Sequence, residues 1–218
     1  MPSTTVSETN TGQYHYGSAA AAHTNQYLLP TVMHLLKPYP PPCRIFELGC
    51  GNGATANALR GLGYDVTAVD PSIEGISIAN ENYSDITFAV GSAYDDLAEK
   101  FGQFRVVVSL EVIEHVFYPR KYAATVAGLL APRGVAIVST PYHGYMKNLL
   151  LALFNRWETH MDPLWDYGHI KLWSRTSLGR LFSEVGLCES EFHRVGRIPQ
   201  LAKSMILSFK RADLRDLH

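Results

Sequence analysis

RIFELGCGNG (44–53) joins a short apolar run to three glycines at alternate positions, Gly49, Gly51 and Gly53. That is the pattern of a buried strand turning sharply into a helix. Glycines there let the backbone turn tightly and approach a ligand, leaving amide donors and a helix N-terminus facing it. A ligand with an anionic or carboxylate group is therefore expected at the loop. The spacing Gly49-x-Gly51-x-x-Ala54, with Asp70 about twenty residues beyond the loop's start, also fits a dinucleotide-binding fingerprint, so the loop alone leaves two classes of cofactor open.

Outward from this loop the chain alternates apolar runs with helical patterns, the signature of a parallel sheet covered on both faces. The pattern predicts strands over 44–48, 65–69, 86–90, 104–109 and 134–140. Helices are predicted over 53–62, 73–83, 94–100 and 122–130, and another over 174–185, opened by Ser174 in cap position and closed by Gly186. Two further strands, 189–195 and 202–209, are joined around Pro199 by a connection too short for a helical crossover, so one of them is expected to be antiparallel. Residues 14–36 read as helical with an interruption at Pro30, and the prolines of PYPPP (38–42) stop that segment. Residues 1–13 are polar and read as a loose tail, 14–42 as an N-terminal helical cap, and the whole of 1–218 as one domain.

With 218 residues, 46% hydrophobic and 18% charged, the chain is sized for one large core. Nineteen Lys and Arg against twenty Asp and Glu, scattered rather than clustered, give no nucleic-acid surface. Cys43, Cys50 and Cys188 form no Cys-x-x-Cys pair, which argues against a disulfide framework and a structural zinc site and fits a reducing cytoplasm. The N-terminus lacks the basic and apolar regions of a targeting signal, and the longest strongly apolar run, 149–154, is too short to span a bilayer. A soluble cytoplasmic protein is expected. No residue pattern specifies an oligomeric state.

The stretch RIFELGCGNG resembles motif I of the class I S-adenosylmethionine-dependent methyltransferases. AVDPS (68–72), VGSA (90–93), SLEVIEHV (109–116) and LLAPRGVAIVSTP (129–141) resemble the motifs that follow it, in order and over about a hundred residues. A dehydrogenase is not expected to carry the last two, so the resemblance selects S-adenosylmethionine over a dinucleotide. It implies an α/β, Rossmann-like, seven-stranded and mostly parallel sheet with helices on both faces and one antiparallel strand near the edge. Glu-His-Val after strand four, Ser-Thr ending strand five, a variable lid and HIKLWSRTSL (169–178) are most similar to the ubiquinone-biosynthesis O-methyltransferases and their small-molecule relatives. The implied reaction is methyl transfer to a small-molecule acceptor, at oxygen. An N-methyltransferase and a catalytically silent cofactor-binding partner protein fit the same motifs.

The same resemblance implies roles for particular residues. Gly49, Cys50 and Gly51 would cradle the methionine part of the cofactor, with Glu47 ordering the loop, and Asp70, followed by Pro71, would take both ribose hydroxyls. Ser92, Ala93 and Tyr94 would border the adenine, Ser92 standing where many relatives carry an acid. Leu110 and Glu111 would meet the cofactor amino group, and Tyr16 would close over it from the N-terminal segment.

An oxygen acceptor benefits from a base, and histidine has the suitable pKa. Of nine histidines, His143 after strand five and His169 after the lid are the candidates; His115 is read as supporting its loop. The insertion 142–173, with Tyr142, His143, Tyr145, Trp165 and His169, is expected to cover the acceptor. Its apolar residues recur at offsets near three and four, from Tyr145 and Met146 through Leu149, Leu150, Leu153 and Phe154 to Trp157. That face suits a lipophilic or aromatic acceptor, while its basic side is too thin for stable membrane anchoring. Glu158, His160 and Asp162 cluster but fit no common ligand spacing, so no metal is expected.

Overall fold

The structure, a computed structural model, describes residues 24–158, 161, 164 and 168–211. In chain order the elements are α1 (Asn25–Leu36), β1 (Arg44–Leu48), α2 (Ala54–Gly61), β2 (Asp65–Asp70), α3 (Ile73–Asn82), β3 (Thr87–Val90) and α4 (Leu97–Phe101). They continue as β4 (Phe104–Leu110), α5 (Pro119–Leu129), β5 (Leu130–Pro141), α6 (Tyr145–Leu153), α7 (Arg175–Ser183), β6 (Leu187–Val195) and β7 (Ser204–Arg211).

The strands form one sheet in the order β3-β2-β1-β4-β5-β7-β6. Pairs from β3 through β5 are parallel, and β7 runs antiparallel to both β5 and β6. The expected seven-stranded sheet with one antiparallel strand next to the edge is therefore observed. The order reverses between β1 and β4, so the crevice beyond their C-terminal ends is where such a sheet binds ligands.

Successive strand residues point to opposite faces, and the core divides accordingly. Phe46, Val107, Ala136 and Leu207 join one cluster, with Tyr122 and Leu129 of α5 and Phe182 of α7. Ile45, Val106, Ile137 and Ile206 join the other, with Leu28 and Val32 of α1, Leu59 of α2 and Ile76 of α3. Each fully buried side chain of this size contributes about 1.5–3 kcal/mol relative to exposure.

Three expectations change. Pro30 does not interrupt its helix: α1 runs continuously through it. Both Pro30 and Gln26, the residue whose carbonyl loses its donor, are exposed, so water can serve that carbonyl. α4 begins at Leu97 rather than at 94, because Asp96 accepts from the Glu99 N–H at 3.1 Å and caps the helix there. α5 begins earlier than expected, at Pro119, a residue suited to the first helical position. Among the described residues no helix is long and apolar enough to cross a membrane.

Candidate active site

The turn after β1 is built as its sequence demands. Gly49, Gly51 and Gly53 all have positive φ, at 84°, 53° and 80°. A Cβ on Gly49 would collide with Val112 Cγ2, and one on Gly53 would lie 2.8 Å from Phe88 Cζ, so neither position admits a side chain without displacement. The Gly49 and Cys50 N–H groups donate to the Val69 carbonyl at 2.8 and 3.1 Å. These bonds tie the loop to β2.

Asp70, the last residue of β2, is 5% exposed. Its Oδ2 accepts from the Gly51 N–H and its Oδ1 from the Ser72 N–H, both at 2.8 Å. Ser72, not Asp70, caps α3, accepting from the Gly75 N–H at 3.0 Å. Asp70 thus braces the glycine loop, and each oxygen keeps a second acceptor direction for a ligand diol. Burial raises its carboxyl above the usual range, while the two amides oppose the shift.

Glu47 is 2% exposed, with its Oε2 buried and without a hydrogen bond. Burial and then the nearby Asp70 push its carboxyl up to about 8, against bonds from the Thr55 hydroxyl and the Ala56 N–H. Thr55 Oγ1 in turn accepts from Asn25 Nδ2 at 3.1 Å, linking α1 to the loop. A buried acceptor without a donor beside a glycine turn fits the amino group of a bound cofactor.

These residues line a cavity of about 910 Å³, which Pro71, Ser92, Ala93 and Leu110 also border. Its other wall is the loop after β4. Glu111 opens that loop with φ of 55°, unusual for a non-glycine residue. Its N–H donates to Ser139 Oγ at 2.9 Å. Its carboxylate accepts from the Ser139 and Ser204 hydroxyls at 2.7 and 3.1 Å, and burial raises it to about 7. Those hydroxyls sit on β5 and β7, so the Glu111 side chain is held from the sheet.

Farther out the cavity is lined by Glu114, His115 and His169. Glu114 is 1% exposed and neither carboxylate oxygen has a hydrogen-bond partner of good geometry. Burial and the neighbouring Glu111 push its carboxyl well above the usual range. His115 Nε2 lies 3.9 Å and His169 Nε2 4.0 Å from the same Glu114 Oε1, and the two rings meet edge to face at 5.0 Å. His115 Nδ1 lies 3.1 Å from the Gly168 carbonyl. A carbonyl only accepts, so that nitrogen carries the proton. One ligand atom from each of the three side chains lies within 4.8 Å of the others, the single such group among the described residues.

Glu47, Gly49, Cys50, Gly51, Asp70, Pro71, Ser92, Ala93, Leu110, Glu111 and His169 from the sequence reading all border this one cavity. His143 and Tyr142 do not: Tyr142 N–H donates to the Lys203 carbonyl at 2.9 Å, and Arg194 lies 5.9 Å from its ring. Tyr145 is 78% exposed on α6, of which only Leu151 is buried. Tyr16, His160, Asp162 and Trp165 lie outside the described residues. Sequence reasoning missed Glu114, whose signal was an acid set among Val112, Ile113 and Val116, and Asn25, whose role depends on a contact 30 residues away.

A family profile described as a methyltransferase domain matches residues 20–188. The chain is similar to the ubiquinone biosynthesis O-methyltransferase of Caulobacter sp. (strain K31), 40% identical over 113 residues, 50% of this chain and 44% of that protein. The protein of the same name from Thiobacillus denitrificans (strain ATCC 25259 / T1) is 28% identical over 148 residues, 66% of this chain and 64% of the relative. The chain therefore spans roughly half the length of these curated relatives. Among solved structures, magnesium protoporphyrin IX methyltransferase from Synechocystis PCC 6803 with bound SAH has the same fold, with a TM-score of 0.63 and 19% identity, over 84% of this chain and 82% of that one. The profile runs through the glycine loop, Asp70 and the loop after β4, and on that match the chain belongs to the methyltransferase domain family.

Proposed function

We propose that the chain transfers the methyl group of S-adenosylmethionine to an oxygen of a small-molecule acceptor, with His169 as the base. The observation that carries this reading is the pairing of His169 with buried Glu114 on the cavity wall, in a chain similar to proteins named O-methyltransferases. The acceptor oxygen attacks the sulfonium methyl in line; an O–C bond forms as the C–S bond breaks. Most of the benefit comes from holding the two in line. The acceptor proton passes to the imidazole, and an imidazolium beside Glu114 favours the ionised carboxylate there. His169 borders the cavity and His143 does not, which favours His169 between the two candidates.

In this reading 142–173 is a lid over the acceptor. Tyr145, Leu149 and Leu153 are exposed on α6, which suits a lipophilic or aromatic acceptor and not a helix packed on the core. Three free cysteines suit a cytoplasmic setting. The test is methyl transfer to a panel of phenols, catechols and amines, followed by mass spectrometry, for the native protein and His169→Ala. We expect methyl on oxygen and a loss of roughly a hundredfold in turnover with cofactor affinity kept. Methylated nitrogen, full turnover without His169, or binding without turnover on any acceptor would overturn it.

A second reading is favoured by one observation, the mutual approach of Glu114, His115 and His169. The three could hold a divalent cation that acidifies the acceptor hydroxyl, reversing the expectation of a metal-free site. Turnover after dialysis against a chelator, with and without added Mg²⁺ or Zn²⁺, separates the two.

A further inference from the structure

The cavity's two walls are tied together by one phenol. Tyr94 lies in the turn after β3, next to Ser92 and Ala93 at the expected adenine end. Local bonds fix its backbone: the Ser92 N–H donates to Asp95 Oδ2 at 2.7 Å, the Asp95 N–H to the Ser92 carbonyl at 3.1 Å, and the Tyr94 N–H to Ser92 Oγ at 3.2 Å. From this fixed turn the side chain crosses to the loop after β4. Tyr94 Oη accepts from the Phe117 N–H at 2.7 Å and the Tyr118 N–H at 3.2 Å, and its ring meets the Tyr118 ring edge to face at 5.7 Å. Tyr118 is the cap residue of α5 and has no side-chain cap bond of its own, so the phenol serves donors that the local sequence leaves without an acceptor.

The same loop is bonded on its far side to the segment that carries His169. The Ile170 and Lys171 N–H groups both donate to the Glu114 carbonyl, at 3.0 and 3.1 Å. Lys171 Nζ donates to the Phe117 carbonyl at 3.0 Å, and Trp173 Nε1 to the Ile113 carbonyl at 3.2 Å. Phe117 is thus gripped from both directions, its N–H by Tyr94 and its carbonyl by Lys171. A displacement of the adenine-side turn would thus reach residues 168–173 through residue 117.

We propose that Tyr94 is a positioning residue that couples occupancy of the adenine end to the placement of the His169 segment, so that the cofactor organises the acceptor wall before the acceptor arrives. The proposal takes the proposed acceptor side as its starting point, but its core is mechanical: the path runs Ser92, Tyr94, Phe117, Lys171. It needs no assignment of His169 as a base.

The test is hydrogen exchange of the whole chain with and without saturating S-adenosylhomocysteine, for the native protein, Tyr94→Phe and Lys171→Met. In the native protein the ligand is expected to slow exchange in both 112–118 and 168–173, by roughly threefold to tenfold, the worth of about one hydrogen bond. Tyr94→Phe keeps the ring and removes the hydroxyl. Calorimetry should show S-adenosylhomocysteine still binding it, while the slowing at 168–173 falls below about twofold. Lys171→Met removes the side-chain tie to the Phe117 carbonyl and leaves the adenine turn and the backbone bonds to Glu114 intact, so 112–118 stays protected by ligand while the slowing at 168–173 is reduced. Equal ligand protection of 168–173 in either variant and the native protein would overturn the coupling, as would its absence in the native protein. None of these readouts requires turnover, so they stand apart from the fate of the O-methylation reading.

Discussion

Replacing Asp70 by Asn tests whether this carboxylate is chiefly a ligand group or also the brace of the loop. Both oxygens already accept a backbone N–H at 2.8 Å, from Gly51 and Ser72. Asn retains one acceptor and turns the other oxygen into a donor aimed at a buried N–H. A hydrogen bond to a charged group is worth about 1.5–3 kcal/mol, so stability without ligand should fall by about that amount. The ribose hydroxyl assigned to the same oxygen loses its acceptor too, and Gly51 is no longer held. Affinity for S-adenosylhomocysteine should therefore drop by roughly tenfold to 150-fold, the same free energy expressed as a ratio. Asp70→Ala removes both acceptors and should about double the loss of stability. Urea denaturation gives the first quantity and isothermal calorimetry the second. The reasoning is refuted if Asp70→Asn keeps native stability, because a ligand-only carboxylate costs nothing in the free protein.

Gly49→Ala should destabilise by about 2–4 kcal/mol, combining a left-handed φ on a residue with Cβ and the collision with Val112. Adding Val112→Ala should recover the collision but not the φ cost, and a denaturation cycle of the three variants checks this. Glu47 binds its proton up to about pH 8 when folded and only to the ordinary carboxylate range when unfolded. The folded chain thus holds the extra proton between those limits, and stability should fall as pH rises from about 4.5 through 8. Glu47→Gln should flatten that slope in thermal melts taken across the range. α6, with Leu151 alone buried, should exchange its amides quickly in the free protein and slowly with an apolar acceptor bound; complete protection in the free protein would mark a fixed helix.

Strands and glycine turn were legible because their physics is local. RIFEL alternates between two apolar faces within five residues, and three positive φ values in five residues leave little choice but glycine. Asp70 was legible through its spacing from that turn. Pro30 misled because the penalty of a helical proline depends on whether the freed carbonyl is buried, which the local sequence does not state. Glu114 was hidden for a similar reason: its importance comes from His169, 55 residues later, whose Nε2 lies 4.0 Å from its Oε1. His143 illustrates the converse. It follows a strand that ends at the ligand edge, yet the chain there turns toward Lys203 and β7, a direction set by the antiparallel pairing of Pro141 with Ser204.

The charges around the cavity explain why acids with raised pKa values are tolerable in a free protein. Glu47, Asp70, Glu111 and Glu114 line it, and among the described lining residues there is no Lys or Arg. Glu47, Asp70 and Glu114 are buried and Glu111 half-buried, and burial above all pushes them toward the protonated form, Glu47 up to about 8, with nearby Asp70 adding to the shift, and Glu111 up to about 7. Under the proposed function the arriving S-adenosylmethionine, which carries an ammonium and a sulfonium, would favour the ionised forms and release those protons. Transfer of the methyl group leaves the sulfur neutral. The product would therefore lose one of the two charges that the acids answer.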